Sequence, residues 1–115
     1  MDPEWFVYII EAENGRLYTG VTKDPSARFQ QHVDGKGAKF FRSSPPKRFM
    51  LRKGGFDRST ALRLEIRIKR LSRIEKLELC RRGRFARFLR LSQMEIEDRP
   101  AMRQDEKRRL GSKTG

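Results

Sequence analysis

Residues 5–22, WFVYIIEAENGRLYTGVT, contain two strand-like segments joined by a turn. Residues 5–10 form a continuous β-branched and aromatic run, which is typical of a strand covered on both faces. Residues 17–22 are predicted to form a second strand, and the Asn-Gly pair at residues 14–15 is a common hairpin turn. The stretch therefore predicts an antiparallel hairpin whose first strand is buried.

The length of the turn decides which side chains share a face of this hairpin. A two-residue turn at residues 14–15 puts Tyr8 and Tyr18 on opposite faces. A three-residue loop at residues 13–15, with its glycine in the left-handed conformation, places Tyr8 opposite Gly20 and brings Tyr18 diagonally onto the same face. We predict the three-residue loop, because only this geometry lets the two tyrosines contribute to one site.

The rest of the chain predicts a helix, a strand and two more helices, in that order. Each helix is recognised by capping residues at its start. The predicted elements are a helix from Asp24-Pro25 to Asp34-Gly35 with Phe29 and Val33 on its inner stripe, a strand at residues 48–52, a helix capped by Asp57 or Ser59, and a helix opened by a capping box at residues 72–75 that stops around Gly83. The order β-β-α-β-α-α predicts an α/β fold of the α+β type, a small three-stranded sheet flanked by helices.

The chain has 115 residues, which suits one domain with an appendage. We expect the domain to occupy residues 1–83 and a basic C-terminal extension to occupy residues 84–115. The extension contains enough apolar residues for one short helix, and after Pro100 its charged composition predicts disorder.

The formal net charge of +13 is the most informative feature of the composition. A small domain this basic attracts polyanions, so nucleic acid, DNA or RNA, is the expected partner. An anionic membrane is less favoured because the basic residues are spread over all segments. No apolar run has the length of a membrane span and no signal-peptide pattern is present, which with the lone Cys80 indicates a cytoplasmic protein without disulfides or a structural zinc site.

Glu65 stands out in a segment that otherwise reads as an amphipathic helix. At 3.6 residues per turn it lies at the edge of the apolar stripe, where a carboxylate is partly desolvated and needs a cation. An ion pair with Lys69, one turn further on, meets that need without any function. A metal ion is the functional alternative.

The motif residues, in their order along the chain, resemble the GIY-YIG nuclease superfamily, and in particular its small, single-domain YhbQ-like branch. The resemblance covers roughly residues 4–80. It is carried by Phe6-Val7-Tyr8 and Tyr18-Thr19-Gly20 at the two tripeptide positions, Arg28 and His32 on the following helix, the loop at residues 35–40, Glu65 on a later helix and the run at residues 68–73. Phe6 replaces the first glycine of the signature, and Thr19 replaces the central isoleucine of the second tripeptide.

The resemblance implies an endonuclease that hydrolyses phosphodiester bonds in structured or damaged DNA with one Mg²⁺ or Mn²⁺ ion. Glu65 would hold the metal, and Arg28 would grip a non-bridging phosphate oxygen in forked geometry. Tyr8, made more acidic by a neighbouring cation, would deprotonate the attacking water. Tyr18 would orient water or phosphate, and His32 would support Arg28 or a phosphate.

Four further basic residues are predicted to bind the nucleic-acid backbone without taking part in the chemistry: Lys36, Lys39, Arg42 and Lys69. Each candidate also has an explanation that involves no catalysis: Tyr8 and Tyr18 as ordinary strand aromatics, and Arg28 as a phosphate-binding residue of a basic protein. Two other functions therefore stay open. One is a nucleic-acid-binding module on the same fold with little or no turnover, and the other is an adaptor whose basic tail recruits a protein.

Overall fold

The computed structural model describes residues 4–98, and their side chains up to residue 93. Seven regular elements follow one another in the order that the sequence predicts, and one short 3₁₀ helix that it did not predict lies among them. They are β1 (Trp5–Ala12), β2 (Leu17–Thr22), α1 (Pro25–Val33), the 3₁₀ helix (Lys39–Arg42), β3 (Pro46–Phe56), α2 (Arg58–Lys69), α3 (Arg73–Leu79) and α4 (Arg84–Asp98). The fold is α+β, with one three-stranded antiparallel sheet and four α-helices.

The β1–β2 hairpin has the predicted three-residue loop. The Ala12 N–H donates to the Arg16 carbonyl at 2.9 Å, and Gly15 has a φ of +86°. Tyr8 consequently lies opposite Gly20 in the register of the two strands. The Tyr8 and Tyr18 rings lie 6.2 Å apart between centroids, so the prediction that they share a face is confirmed.

Strand β1 is the middle strand of the sheet, with β2 and β3 on either side. Its residues 7–10 are at most 1% exposed, as expected for a strand covered on both faces. Strand β3 is longer than the predicted residues 48–52 and begins at Pro46. A proline fits there because the first residue of an edge strand can lack a backbone donor.

Helix α1 begins and ends where its capping residues predict. The Asp24 carboxylate accepts from the Ala27 N–H, Pro25 is the first helical residue, and the helix ends at Asp34-Gly35. Its inner face was assigned wrongly in part, because Val33 is 47% exposed while His32 is 1% exposed. The helix buries an imidazole because the segment after it folds back onto His32.

Helices α2 and α3 also follow their caps. Asp57, one of two candidates, caps α2, and the capping box predicted at residues 72–75 opens α3. Helix α2 packs against β1 and β2 and contributes Ala61, Leu64 and Ile68 to the core. Helix α3 ends at Leu79 and not around Gly83, because the chain turns before that glycine.

The chain divides between Cys80 and Arg81 into two compact units. The first contains the sheet and helices α1 to α3. The second contains α4, a 15-residue helix in which Phe85 and Phe88 lie 6.2 Å apart. The disorder predicted after Pro100 concerns residues outside those described. Among the described residues, no helix is long and apolar enough to cross a membrane.

The hairpin loop yields a stability prediction at Gly15. Replacement by alanine puts a Cβ into the left-handed region and should lower the free energy of unfolding by about 1–2 kcal/mol. Gly15→Asn is the matched control, because asparagine tolerates that region better, and it should cost clearly less. Urea titration of the three proteins measures the difference. Equal stability of wild type and Gly15→Ala would contradict the loop geometry.

Candidate active site

The two tyrosines of the hairpin lie in an aromatic cluster on one face of the sheet. Tyr8 is 1% exposed and meets the edge of Phe49 at a centroid distance of 6.0 Å. Tyr18 is partly buried and contacts the rings of Phe40 and Phe41 at 5.3 and 5.1 Å. The cluster therefore fixes both phenols, and it places them beside helix α1.

His32 connects this helix to the central strand. Its Nδ1 accepts a hydrogen bond from the Ala38 backbone N–H at 3.1 Å, so in the neutral ring Nδ1 carries no proton. The ring proton must then be on Nε2, which lies 3.1 Å from the Tyr8 hydroxyl oxygen. His32 consequently donates to Tyr8, and the Tyr8 oxygen is left with its own proton to give to another acceptor.

The surroundings keep His32 neutral. Burial and then the positive charge of Arg28 lower its pKa from 6.5 to about 4. A protonated ring would also lose the Ala38 bond, since Nδ1 would become a donor facing a donor. The tautomer that donates to Tyr8 is therefore the stable form at neutral pH. His32 was expected to support Arg28 or a phosphate, and that role stays a prediction; in the structure the side chain contacts Tyr8.

The expected acidity of Tyr8 is wrong for the protein by itself. Burial, followed by the proximity of Tyr18, raises the pKa of Tyr8 from 10.0 to about 12. Arg28 lies close enough to lower it by a hydrogen bond and by its charge, but desolvation of the phenolate outweighs both effects. Glu65 also acts on Tyr8, in the raising direction. The sequence suggested the neighbouring cation but gave no measure of how deeply the phenol is buried.

Arg28 is held by a residue that the sequence analysis missed. Its Nη1 donates to the Gln31 Oε1 at 2.9 Å, one turn along α1. This bond uses one edge of the guanidinium and restricts its rotation, while the planar group keeps other N–H donors for a ligand. The spacing of three residues was a signal for the contact, since such pairs are neighbours on a helix.

Glu65 forms the ion pair that was its structural alternative. Its Oε2 lies 3.3 Å from the Lys69 Nζ, and the side chains are 17% and 53% exposed respectively. The carboxylate is thus mostly covered, as its position at the edge of the apolar stripe predicts. Lys69 neutralises the carboxylate in the protein alone, and carboxylate oxygens are ligands of the kind that hard divalent cations bind.

Two glycines make room for the Tyr8–His32 pair. A Cβ at Gly20 would lie 2.5 Å from the Tyr8 hydroxyl oxygen, and one at Gly37 would lie 2.2 Å from the His32 Nδ1. Neither distance is compatible with the rings as they stand. Any side chain at these positions would therefore displace the pair.

The predicted backbone-binding residues lie at the surface. Lys36 follows α1, and Lys39 and Arg42 belong to the 3₁₀ helix whose aromatic residues enter the cluster. All three are exposed, as is Lys69. Lys36, Lys39 and Arg42 thus place positive charge on the segment that covers His32, and Lys69 lies on α2.

Comparison with known families identifies the pattern to which these residues belong. Residues 4–78 match the sequence profile of the GIY-YIG catalytic domain. The chain belongs to the GIY-YIG family. Membership confirms the resemblance inferred from the ordered motif residues, and it places the chain in a nuclease superfamily whose members generally use divalent metals and act on nucleic acid.

Within this family the chain is similar to the UPF0213 proteins. It is 39% identical to one from Cupriavidus pinatubonensis, over 70% of this chain and 89% of the relative. It is 42% identical to YhbQ of Escherichia coli K12, over 69% and 79%. The solution NMR structure of a UPF0213 protein from Bacillus halodurans matches with a TM-score of 0.43 and 38% identity, over 69% and 82%. The expected YhbQ-like branch is confirmed.

One departure from the family signature has a structural explanation. Phe6, in place of the first glycine, packs its ring against Gly54 of β3, where an added Cβ would lie 2.5 Å from the ring. The extra side chain is therefore accommodated by a glycine on the neighbouring strand.

The neutral, buried His32 predicts a pH-dependent stability. Its folded pKa of about 4 lies below the ordinary 6.5, so its contribution is present above pH 6.5 and is lost as the pH falls through about 4. In that window wild type should lose up to about 1.4 kcal/mol per pH unit relative to His32→Gln. Denaturant titrations of both proteins at several pH values measure this difference. Parallel pH profiles would show that His32 is not buried in neutral form.

Proposed function

We propose that this protein is a metal-dependent endonuclease that hydrolyses phosphodiester bonds in structured or damaged DNA. The observation that carries the proposal is the Tyr8 hydroxyl, which lies 3.1 Å from the His32 Nε2 and close enough to Arg28 for that cation to lower its pKa. A phenol between a neutral donor and a cation has both groups that a developing phenolate needs. The GIY-YIG family and the net charge of +13 supply the substrate class.

Arg28 is the group proposed to hold the scissile phosphate. Gln31 restricts the guanidinium at Nη1, and the remaining N–H groups suit the paired oxygens of a phosphate. A phosphate bound there would lie beside Tyr8, because Arg28 already acts on the Tyr8 pKa. Helix α1 and strand β1 would thus bring the phosphate-binding Arg28 and the proposed base Tyr8 together.

Tyr8 is the proposed general base. It must lose a proton before it can take one from water, and its pKa of about 12 means that few molecules carry the phenolate at neutral pH. The His32 Nε2–H favours the phenolate by donating to the oxygen, and Arg28 favours it by charge. Tyr18, whose ring contacts Tyr8 and His32, is proposed to orient the water or the phosphate.

Glu65 is the proposed metal ligand. Among the described residues, no group of three or more His, Cys, Asp or Glu side chains converges on a possible ion. A single carboxylate still suits Mg²⁺ or Mn²⁺, because such an ion keeps several waters and takes other oxygens from substrate phosphate. When bound, the ion would stabilise the negative charge that develops on the phosphate. Lys69, which pairs with Glu65 in the protein alone, would then be available to a backbone phosphate. Lys36, Lys39 and Arg42 are proposed to bind backbone phosphates as well.

The alternative is a nucleic-acid-binding module with little or no turnover. The raised pKa of Tyr8 favours it, because a phenol that stays protonated is a weak base. Such a module would bind nucleic acid with strong salt dependence, through the same basic residues, and neither metal nor the Tyr8 hydroxyl would matter. A cleavage assay distinguishes the two functions, whereas a measurement of affinity does not.

The cleavage prediction uses Glu65→Gln and Tyr8→Phe. Both should lower the rate of Mg²⁺-dependent cutting of labelled flap, branched and bulged DNA, by about 10²- to 10⁴-fold for Tyr8→Phe as for the loss of a general base. Glu13→Gln, an exposed glutamate in the hairpin loop, is the matched control and should cut like wild type. All proteins are prepared identically, and EDTA should abolish the wild-type reaction.

Binding of the same DNA in EDTA is measured in parallel. Retained binding with lost cutting in the two site variants is the expected result. Equal cutting by wild type and Glu65→Gln would indicate a contaminating nuclease and overturn the proposal. Tight binding without cutting by any protein would establish the binding module instead.

A further inference from the structure

A cleft beside the proposed active site has no part in the roles described so far. It has a volume of about 240 Å³ and is lined by Ser26, Phe29, Arg48 and Phe49. Helix α1 and strand β3 form its two sides. Two of its four lining residues are phenylalanines, in a chain in which 37% of the residues are charged.

The cleft is adjacent to Tyr8. The Phe49 ring that lines it is also the ring that meets Tyr8 edge-on, at a centroid distance of 6.0 Å. Phe29 lies 5.1 Å from Phe49 between ring centroids, and it follows Arg28, the proposed phosphate ligand, in α1. The Phe49 ring thus lies between the cleft and Tyr8, and the residue of α1 that lines the cleft directly follows Arg28 in the chain.

The charges around the cleft are complementary to a polynucleotide. The Arg52 guanidinium lies 4.8 Å from the Phe49 centroid, and Arg48 borders the opening. Arg48 is held in place through its Nε, which donates to the Glu11 carboxylate at 2.8 Å, and this leaves most of its five N–H groups uninvolved in that bond. Aromatic rings with arginines beside them are the common setting for an unstacked nucleobase.

From this arrangement we infer that the cleft binds the base of an unpaired nucleotide adjacent to the phosphate held by Arg28. The inference rests on the proposed function and makes it more specific. A base within a duplex is stacked on both sides and cannot enter a cleft of this size, so only a flap, bulge, mismatch or frayed end delivers one without the cost of unstacking. The cleft thus selects nucleic acid with an unpaired nucleotide at the cleavage position.

The test compares two DNA duplexes that differ by one base. Each carries a single bulged nucleotide, which in one duplex has its base and in the other is abasic, so the backbone distortion is matched. Affinities are measured by fluorescence anisotropy in EDTA at fixed salt concentration. Wild type should bind the duplex with the base about 5- to 150-fold more tightly, the range expected for one stacked base.

Two substitutions at Ser26 show whether the cleft causes this preference. Ser26 is exposed, so neither change disturbs the core. Ser26→Leu fills the cleft above Phe29 and should reduce the affinity ratio to near one, while Ser26→Ala leaves it open and should keep the wild-type ratio. Circular dichroism checks folding, and Phe49→Leu provides the same test without filling the cleft, by removing one aromatic ring.

The outcomes distinguish a failure of the base-binding inference from a failure of the proposed nuclease activity. Equal affinity of wild type for the two duplexes, or an unchanged ratio in folded Ser26→Leu and Phe49→Leu, would overturn the inference even if the protein cuts DNA. A ratio that Ser26→Leu abolishes would support the cleft even if Mg²⁺ induces no cutting, in which case only the proposed nuclease activity fails.

Discussion

The bond between the His32 Nε2 and the Tyr8 hydroxyl is the contact on which the site depends. It joins the central strand to helix α1 across the aromatic cluster, and its direction is set by a second bond, from the Ala38 N–H to the opposite nitrogen of the ring. Helix α1, the segment after it and the sheet must all be in place for both bonds to form. Gly37, where a Cβ would lie 2.2 Å from His32, gives the segment the close approach that this requires.

The same packing that positions Tyr8 also makes it a weak acid. Burial raises its pKa to about 12, although Arg28 opposes the shift. Preorganisation and acidity are therefore in conflict at this residue, and the proposed reaction needs further positive charge near the phenol to resolve it. A cation held by Glu65 would supply that charge, which gives a physical reason why turnover should depend on a metal. Without one, we expect the behaviour of the alternative proposed above, binding of nucleic acid with little or no turnover.

The parts of the fold that follow from local rules could be predicted from the sequence. The hairpin loop follows from the left-handed requirement at Gly15, and the starts of three helices follow from their caps. The burial of His32 could not be predicted in this way, because it depends on the later segment around Gly37 folding back over α1. Val33 looked like the inner residue by its apolarity alone. The pKa of Tyr8 likewise depends on rings brought together from separate elements, so its direction could not be read from neighbours in sequence.

The most direct test of the proposed mechanism is the pH dependence of Mg²⁺-dependent cleavage under single-turnover conditions. If Tyr8 is the general base and is mostly protonated at neutral pH, the wild-type rate should rise about tenfold per pH unit between about pH 7 and pH 9. The Tyr8→Phe protein should cut far more slowly and without this rise. A wild-type rate that does not change over this range, or a Tyr8→Phe profile parallel to that of wild type, would contradict the assignment of Tyr8 as the base.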